Sequence, residues 1–308
     1  MDIVYIGTPD HACIPLQALA DAGHRIKLVI TQPDRPKGRG NKMQKSPVRI
    51  KAEELGIPVL TPEKIRQDEE TLSAVKEADA DFCVVFSYGQ IIPSCILDAP
   101  KYGSVNIHAS LLPKYRGAAP IQRAVLDGEE ETGVSLMHMD AGLDTGDVYA
   151  VEAVPIGRKT SAQLFAELSE LGARLLLESL PKIADGTLKG IPQEGESSYA
   201  HMLTKEEGRI DWTKTAAETD RLVRAFNDAP VAWTLRDGEP LKIYETEVSD
   251  ESGAVPGQVL SADKNGIKVA CSKGSVNIKK LQAPGKKMMD ASAYLLGNRI
   301  EKGSMLGV

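Results

Sequence analysis

Short apolar runs alternate with segments of helical spacing through the first third of the chain, and that alternation leaves few folds open. DIVYIG (2–7) is followed by the helix-patterned TPDHACIPLQALADAG, and RIKLVIT (25–31) by a helix from about Ser46 to Leu55. The strand-like PVLT leads to a helix near Glu70 to Ala78, and the apolar DFCVVFSYG to PSCILDAP and then GSVNIH. Strands separated by helices cannot pair as tight hairpins, so the expected fold class is α/β with a mainly parallel sheet. The first βα turn reads GTPD and lacks G-x-G-x-x-G, so the dinucleotide fingerprint is absent and a dehydrogenase is disfavoured.

The chain has 308 residues, room for one large or two ordinary domains, and two is the reading adopted. After Gly186 the pattern weakens into GTLKGIPQEGESSYAHMLTKEEG, Gly- and Ser-rich without a sustained period. Beyond it come one helix, Thr215 to Phe226, and the short runs WTLRD, LKIYETEV, GQVLSADKNGIKVAC and SVNIKKLQA, broken by DG, NG and KG turns. Such spacing predicts a small β-barrel. The expected organisation is a first domain over 1–185, a linker over 186–208 and a second domain over 209–308.

No apolar run approaches the roughly 20 residues that cross a bilayer, and MDIVYIG has no basic leader, so a cytoplasmic protein without a membrane partner is expected. Cys13, Cys83, Cys95 and Cys271 are scattered without C-x-x-C spacing, which indicates free thiols and neither a zinc knot nor a disulfide framework. The net charge of −6 hides a split. Residues 1–208 carry 22 bases against 30 acids, whereas residues 209–308 carry 15 against 13, and Lys264 to Lys287 holds seven lysines and no acid. A second basic stretch, Thr31 to Lys51, has seven bases against Asp34 alone, in a connection too long for an ordinary βα loop. On its charge alone it reads as a solvated surface loop.

The chemistry concentrates between Gly103 and Val148. In GSVNIH, Val105 and Ile107 alternate with Asn106 and His108, so a strand puts the amide and the imidazole on one face. Read alone, the pair suits strand-end groups that satisfy nearby backbone as well as it suits a site. In MDAGLDTGD, Asp144 stands between Gly142 and Gly146 in a turn-rich segment that can carry a carboxylate to the imidazole. Asn, His and a carboxylate without a nucleophilic Ser or Cys suit acyl transfer to an external amine. The amide and imidazole would bond a developing oxyanion, the carboxylate would set the tautomer, and neither a metal nor a covalent intermediate is required.

NIHASLLPKYRGAAPIQ followed by MDAGLDTGD resembles the signature of the folate-dependent formyltransferases, and the longer form with YRGAAPIQ is similar to the branch that acts on methionyl-tRNA. YIGTPD, TQPDRPKGRG, SPVRIKAEELGIPV, RIDW, RAFN and APGKK extend the likeness in order over nearly the whole chain. The resemblance implies a Rossmann-like catalytic domain and an OB-like tRNA-binding domain. It also implies formyl transfer from 10-formyltetrahydrofolate to the α-amine of methionyl initiator tRNA in translation initiation, without a stable protein partner. Asn106, His108 and Asp144 match the family's catalytic residues. Ser110, Leu111, Leu112 and Pro113 match its folate-contacting segment, and Phe86, Tyr88, Gly89 and Ile92 are further folate candidates. Arg39 matches the loop arginine that helps recognise the acceptor end, with Arg35, Lys37, Lys42 and Lys45 as phosphate contacts. Lys279, Lys280, Lys286 and Lys287 would line the tRNA contact of the barrel, although edge lysines also protect a solvated strand.

Three stretches depart from the family pattern: His11 and His138 stand where phenylalanine and glutamine are usual, and RAFNDAP replaces RAFNPWP. His11 is expected to border the methionine side chain. Two rival functions follow. The same transfer to a small acceptor, such as glycinamide ribonucleotide or an amino sugar nucleotide, would not need the basic loop and barrel. A non-catalytic tRNA-binding protein would keep the fold and leave the formyl donor unchanged.

Overall fold

The computed structural model of the chain describes every residue except 38–41, 228 and 253–254. The chain forms two compact units, one of Met1–Pro120, Thr132–Val154 and Phe165–Ala200, the other of Ile121–Glu131, Pro155–Leu164 and His201–Val308. Residues 186–200, which the sequence reading assigns to a linker, are hydrogen-bonded into the first unit, where Ala200 N donates to Arg116 O and Ile191 pairs with Val148.

The elements of the first half, in order, are β1 Asp2–Gly7, α1 Cys13–Asp21, β2 Arg25–Ile30, β3 Arg35–Lys37, β4 Lys42–Gln44, α2 Pro47–Glu54, β5 Val59–Leu60, α3 Glu69–Glu77, β6 Phe82–Phe86, α4 Ser94–Leu97 and β7 Ser104–His108. Then come α5 Pro120–Asp127, β8 Glu131–His138, β9 Val148–Pro155 and α6 Ser161–Ala184. The strands β1, β2 and β5 to β9 form one sheet in the order β5-β2-β1-β6-β7-β8-β9, parallel from β5 to β7 and antiparallel between β7 and β8. The expected α/β class is therefore adopted. Chain order runs outward from β1 to β5 and restarts at β6 beside β1, so the carboxyl ends of β1 and β6 flank the crevice where such sheets bind ligands.

One sheet face buries Val4, Ile6, Leu28, Ile30, Cys83 and Val85 against Ile65, Val75, Ile96 and Leu97. Helices α2 and α3 start where side chains replace missing backbone partners. Ser46 Oγ accepts from Arg49 N ahead of Pro47, and Asp68 caps α3 through Thr71 N. At Gly172, in α6, a side chain would press on Ile107, since a β-carbon there would lie 2.5 Å from its Cγ2.

The second unit adds α7 Ala216–Ala225, β10 Trp233–Arg236, β11 Glu239–Ser249, β12 Val259–Asp263, β13 Gly266–Ala270, β14 Ser275–Gln282, β15 Met289–Asp290 and α8 Ala291–Leu295. Its antiparallel sheet has the order β10-β11-β14-β13-β12, with β15 on β14. Register shifts in β11 near Glu245 and in β12 between Val259 and Ser261 curl it into a half-barrel. Helix α7 opens with a capping box, Thr215 with Glu218, and packs Val223 and Ala225 inward. Trp212 is buried, its Nε1 donating to Thr234 Oγ1 at 3.0 Å, which makes it a packing residue.

Candidate active site

All five residues of β7 are buried, so the polar pair at its carboxyl end is paid for by specific partners. His108 Nε2 lies 2.9 Å from the carbonyl of Tyr115. A carbonyl only accepts, so Nε2 carries the proton and Nδ1 faces Oδ2 of Asp144, 3.6 Å away. The amide of Asn106 approaches the other carboxylate oxygen, Nδ2 to Oδ1, at 3.5 Å. Both separations are at the outer limit of hydrogen bonding, which leaves amide and imidazole free to turn to a third oxygen.

The carboxylate itself is held firmly. Oδ2 of Asp144 accepts from Gly117 N at 2.7 Å, and its side chain is 13% exposed. Asp144 has φ +53° and Tyr115 φ +60°, left-handed conformations that side chains disfavour. Two strained residues thus meet the same imidazole, one through a carboxylate and one through a carbonyl. Of the sequence-predicted catalytic residues, the structure brings Asn106, His108 and Asp144 together.

Around the crevice, Thr8 Oγ1 and Gln32 Nε2 both donate to the carbonyl of Tyr88, tying the ends of β1 and β2 to that of β6. In the 86–92 segment, Phe86, Tyr88 and Ile92 are buried, and the last two belong to the core cluster. What this segment exposes is Ser87, Gly89 and the side chain of Ile91. Ser110 is buried, its Oγ donating to Lys114 O and its carbonyl accepting from Ser135 Oγ. Leu112 N donates to Ser135 Oγ, so the 110–113 turn is pinned to β8, with Leu111, Leu112 and Pro113 partly exposed.

His11 stacks on Phe165 with centroids 4.7 Å apart, meets Phe86 edge-on at 5.3 Å, and lies 2.9 Å from Ser87 Oγ through Nε2. Burial among these rings holds its pKa down to about 4, against only a weak pull from Asp10, so the ring is neutral at pH 7. His138 contacts Tyr149, Nδ1 to Oη at 3.4 Å, and does not touch Asp144.

The long basic connection carries a two-stranded ribbon, β3 with β4, in which Lys37 pairs with Lys42. Arg39 lies outside the described residues. Arg35 approaches Glu63 at 3.7 Å and Lys45 pairs with Glu53 at 2.6 Å, while Lys42 is exposed. In the second unit Lys279 and Lys280 of β14 pair with Glu247 and Glu245, and Lys286 and Lys287 are exposed in the turn before β15. Such exposed pairs contribute little to stability.

Sequence reasoning does not reach the Gly117 amide, the Tyr115 carbonyl, Arg116 or Gln193. Gln193 Nε2 donates to the carbonyls of Asp144 and Gly146 at 2.9 and 2.8 Å, and its Oε1 accepts from Arg116. Backbone groups carry no residue signature, and Gln193 sits in a stretch without period.

The family model for formyl transferase matches residues 1–180, and that for the formyl transferase C-terminal domain matches residues 202–299. A methionyl-tRNA formyltransferase of Lachnospira eligens is 45% identical over 315 residues, covering 100% of both chains. One from Neisseria meningitidis serogroup C is 47% identical over 99% of this chain and 100% of its own. Among solved structures, HypX from Aquifex aeolicus in complex with tetrahydrofolic acid has a TM-score of 0.69 at 18% identity, over 99% of this chain and 50% of its own. The sugar 3N-formyl transferase WlaRD scores 0.66 at 22% identity, over 93% and 99%. These two likenesses show the fold.

Proposed function

This chain belongs to the methionyl-tRNA formyltransferase family, and from that premise we propose that it moves a formyl group from 10-formyltetrahydrofolate to the α-amine of methionyl initiator tRNA. The observation that carries the chemistry is the convergence of Asn106 Nδ2 and His108 Nδ1 on one anchored carboxylate at the end of β7. An α-amine has a pKa of about 7.7–8.0, so a useful fraction is already nucleophilic near neutrality. What the protein must add is orientation and a place for negative charge.

In this reading the amine nitrogen attacks the formyl carbon and the carbonyl electrons move to oxygen. Asn106 Nδ2–H and a protonated His108 Nδ1–H bond that oxyanion. The electrons then re-form the carbonyl, the bond from carbon to N10 breaks, and N10 takes a proton while the attacking nitrogen loses one. Asp144 holds the imidazole and passes the proton between His108 and water, with Gly117 N–H keeping the carboxylate in place. The 110–113 turn and the exposed chain at Ser87 and Gly89 border the pteridine. Lys42, Lys286 and Lys287, with Arg35, Lys37, Arg39, Lys45, Lys279 and Lys280, meet tRNA phosphates.

The test is transfer of labelled formyl to methionine-charged initiator tRNA, with charged elongator methionine tRNA, free methionine and glycinamide ribonucleotide as parallel acceptors, each repeated with His108→Ala. Label confined to the charged initiator and lost in the variant supports the reading. Label on glycinamide ribonucleotide moves the assignment to small acceptors, and no label on any acceptor overturns catalysis.

A further inference from the structure

We infer that Gln193 and Arg116 form a positioning clamp that holds the Asp144 carboxylate in register with His108, an inference that rests on the proposed formyl transfer. Both hydrogens of the Gln193 amide are used, to Asp144 O at 2.9 Å and Gly146 O at 2.8 Å, and its oxygen accepts twice from Arg116, Nε at 3.1 Å and Nη2 at 2.7 Å. A side-chain amide with each donor committed fixes both the place and the rotation of what it holds.

What it joins are the two loops that meet the imidazole. One carries Asp144. The other runs from Tyr115 to Gly117 and supplies the carbonyl for His108 Nε2 and the amide for Asp144 Oδ2. The second loop is braced from behind: Tyr115 N donates to Ser198 Oγ, Arg116 N to Ser198 O, and Ala200 N to Arg116 O. Gly117 packs against that brace at φ +106°, where a β-carbon would lie 3.1 Å from Ala200 O. The clamp adds to these bonds at two left-handed residues, Asp144 and Tyr115, whose conformations need support from their surroundings. Because the 115–117 loop touches both the ring and the carboxylate, a slip of either loop changes the gap from Asp144 to His108, which is already 3.6 Å.

Gln193 touches no reacting atom in this account, so it acts through the pairing of Asp144 with His108. That separates it from a structural residue. The experiment is a double-mutant cycle on kcat, with Gln193→Ala measured in the wild-type and in the Asp144→Asn background, alongside Gln193→Glu, which keeps the acceptors for Arg116 and loses the donors to the two carbonyls. In the wild-type background both Gln193 variants should lower kcat about 10- to 100-fold, with KM for the folate donor within about twofold and thermal unfolding close to the parent. In the Asp144→Asn background the same change should cost less than about twofold. Equal losses in both backgrounds, or losses confined to KM, overturn the clamp while leaving the proposed function standing. A wild type that transfers formyl to no acceptor overturns the proposed function, and the clamp's part in turnover with it.

Discussion

At the scale of single residues, the site rests on an amide and an imidazole that are placed but not committed. Asn106 Nδ2 stands 3.5 Å from Asp144, far enough to leave it for an oxyanion. Asn106→Ala is expected to lower kcat by about 10²-fold or more with little change in KM, measured by single-turnover formyl transfer. His11 gives a second expectation. Its folded pKa is about 4 against 6.5 when free, so between those values the unfolded chain holds a proton that the folded chain does not. Stability therefore falls as pH is lowered from 6.5 to about 4, by on the order of 3 kcal/mol, and above 6.5 this residue contributes no slope. Urea titrations across that window should show the slope in the parent and its loss in His11→Phe, which keeps the stack on Phe165.

At the scale of elements, α7 is held by one buried carboxylate. Asp220 accepts from Arg224 Nε at 2.9 Å, Arg158 Nη2 at 3.0 Å and Thr246 Oγ1 at 3.0 Å, so it joins the helix to the segment between β9 and α6 and to β11. Asp220, Arg158 and Arg224 line a cavity of about 460 Å³ in the second unit. Removing the acceptor leaves Arg224 largely buried and uncompensated. Asp220→Ala should destabilise the second unit by about 3 kcal/mol in denaturant unfolding, whereas Arg158→Ala, which removes a mostly exposed partner, should cost under about 1 kcal/mol.

At the scale of the whole molecule, the net charge of −6 repels tRNA while local basic segments attract it. Lys286 and Lys287 are exposed in the turn before β15, whereas Lys279 and Lys280 must first give up glutamates. Changing Lys286 and Lys287 to Gln should weaken tRNA binding and reduce the slope of log K against log salt by up to about 2, with kcat at saturating tRNA unchanged. A salt slope equal to that of the parent would remove the turn from the interface.

The local period of the sequence determined the βα alternation, the curled antiparallel second sheet and the side-by-side placing of Asn106 and His108, because side-chain alternation and turn residues act over a few positions. The helix start at Ser46 was equally legible, as Ser before Pro. Tertiary structure alone decided the rest. Strand β6 returns beside β1 only when the whole sheet assembles, and the 121–131 and 155–164 segments join the second unit without any local mark. The clamp is the sharpest case, since Gln193 lies 49 residues from Asp144 and 77 from Arg116. Hydrogen bonds at that separation exist only after loop closure has been paid by burial elsewhere, so no window of sequence can announce them.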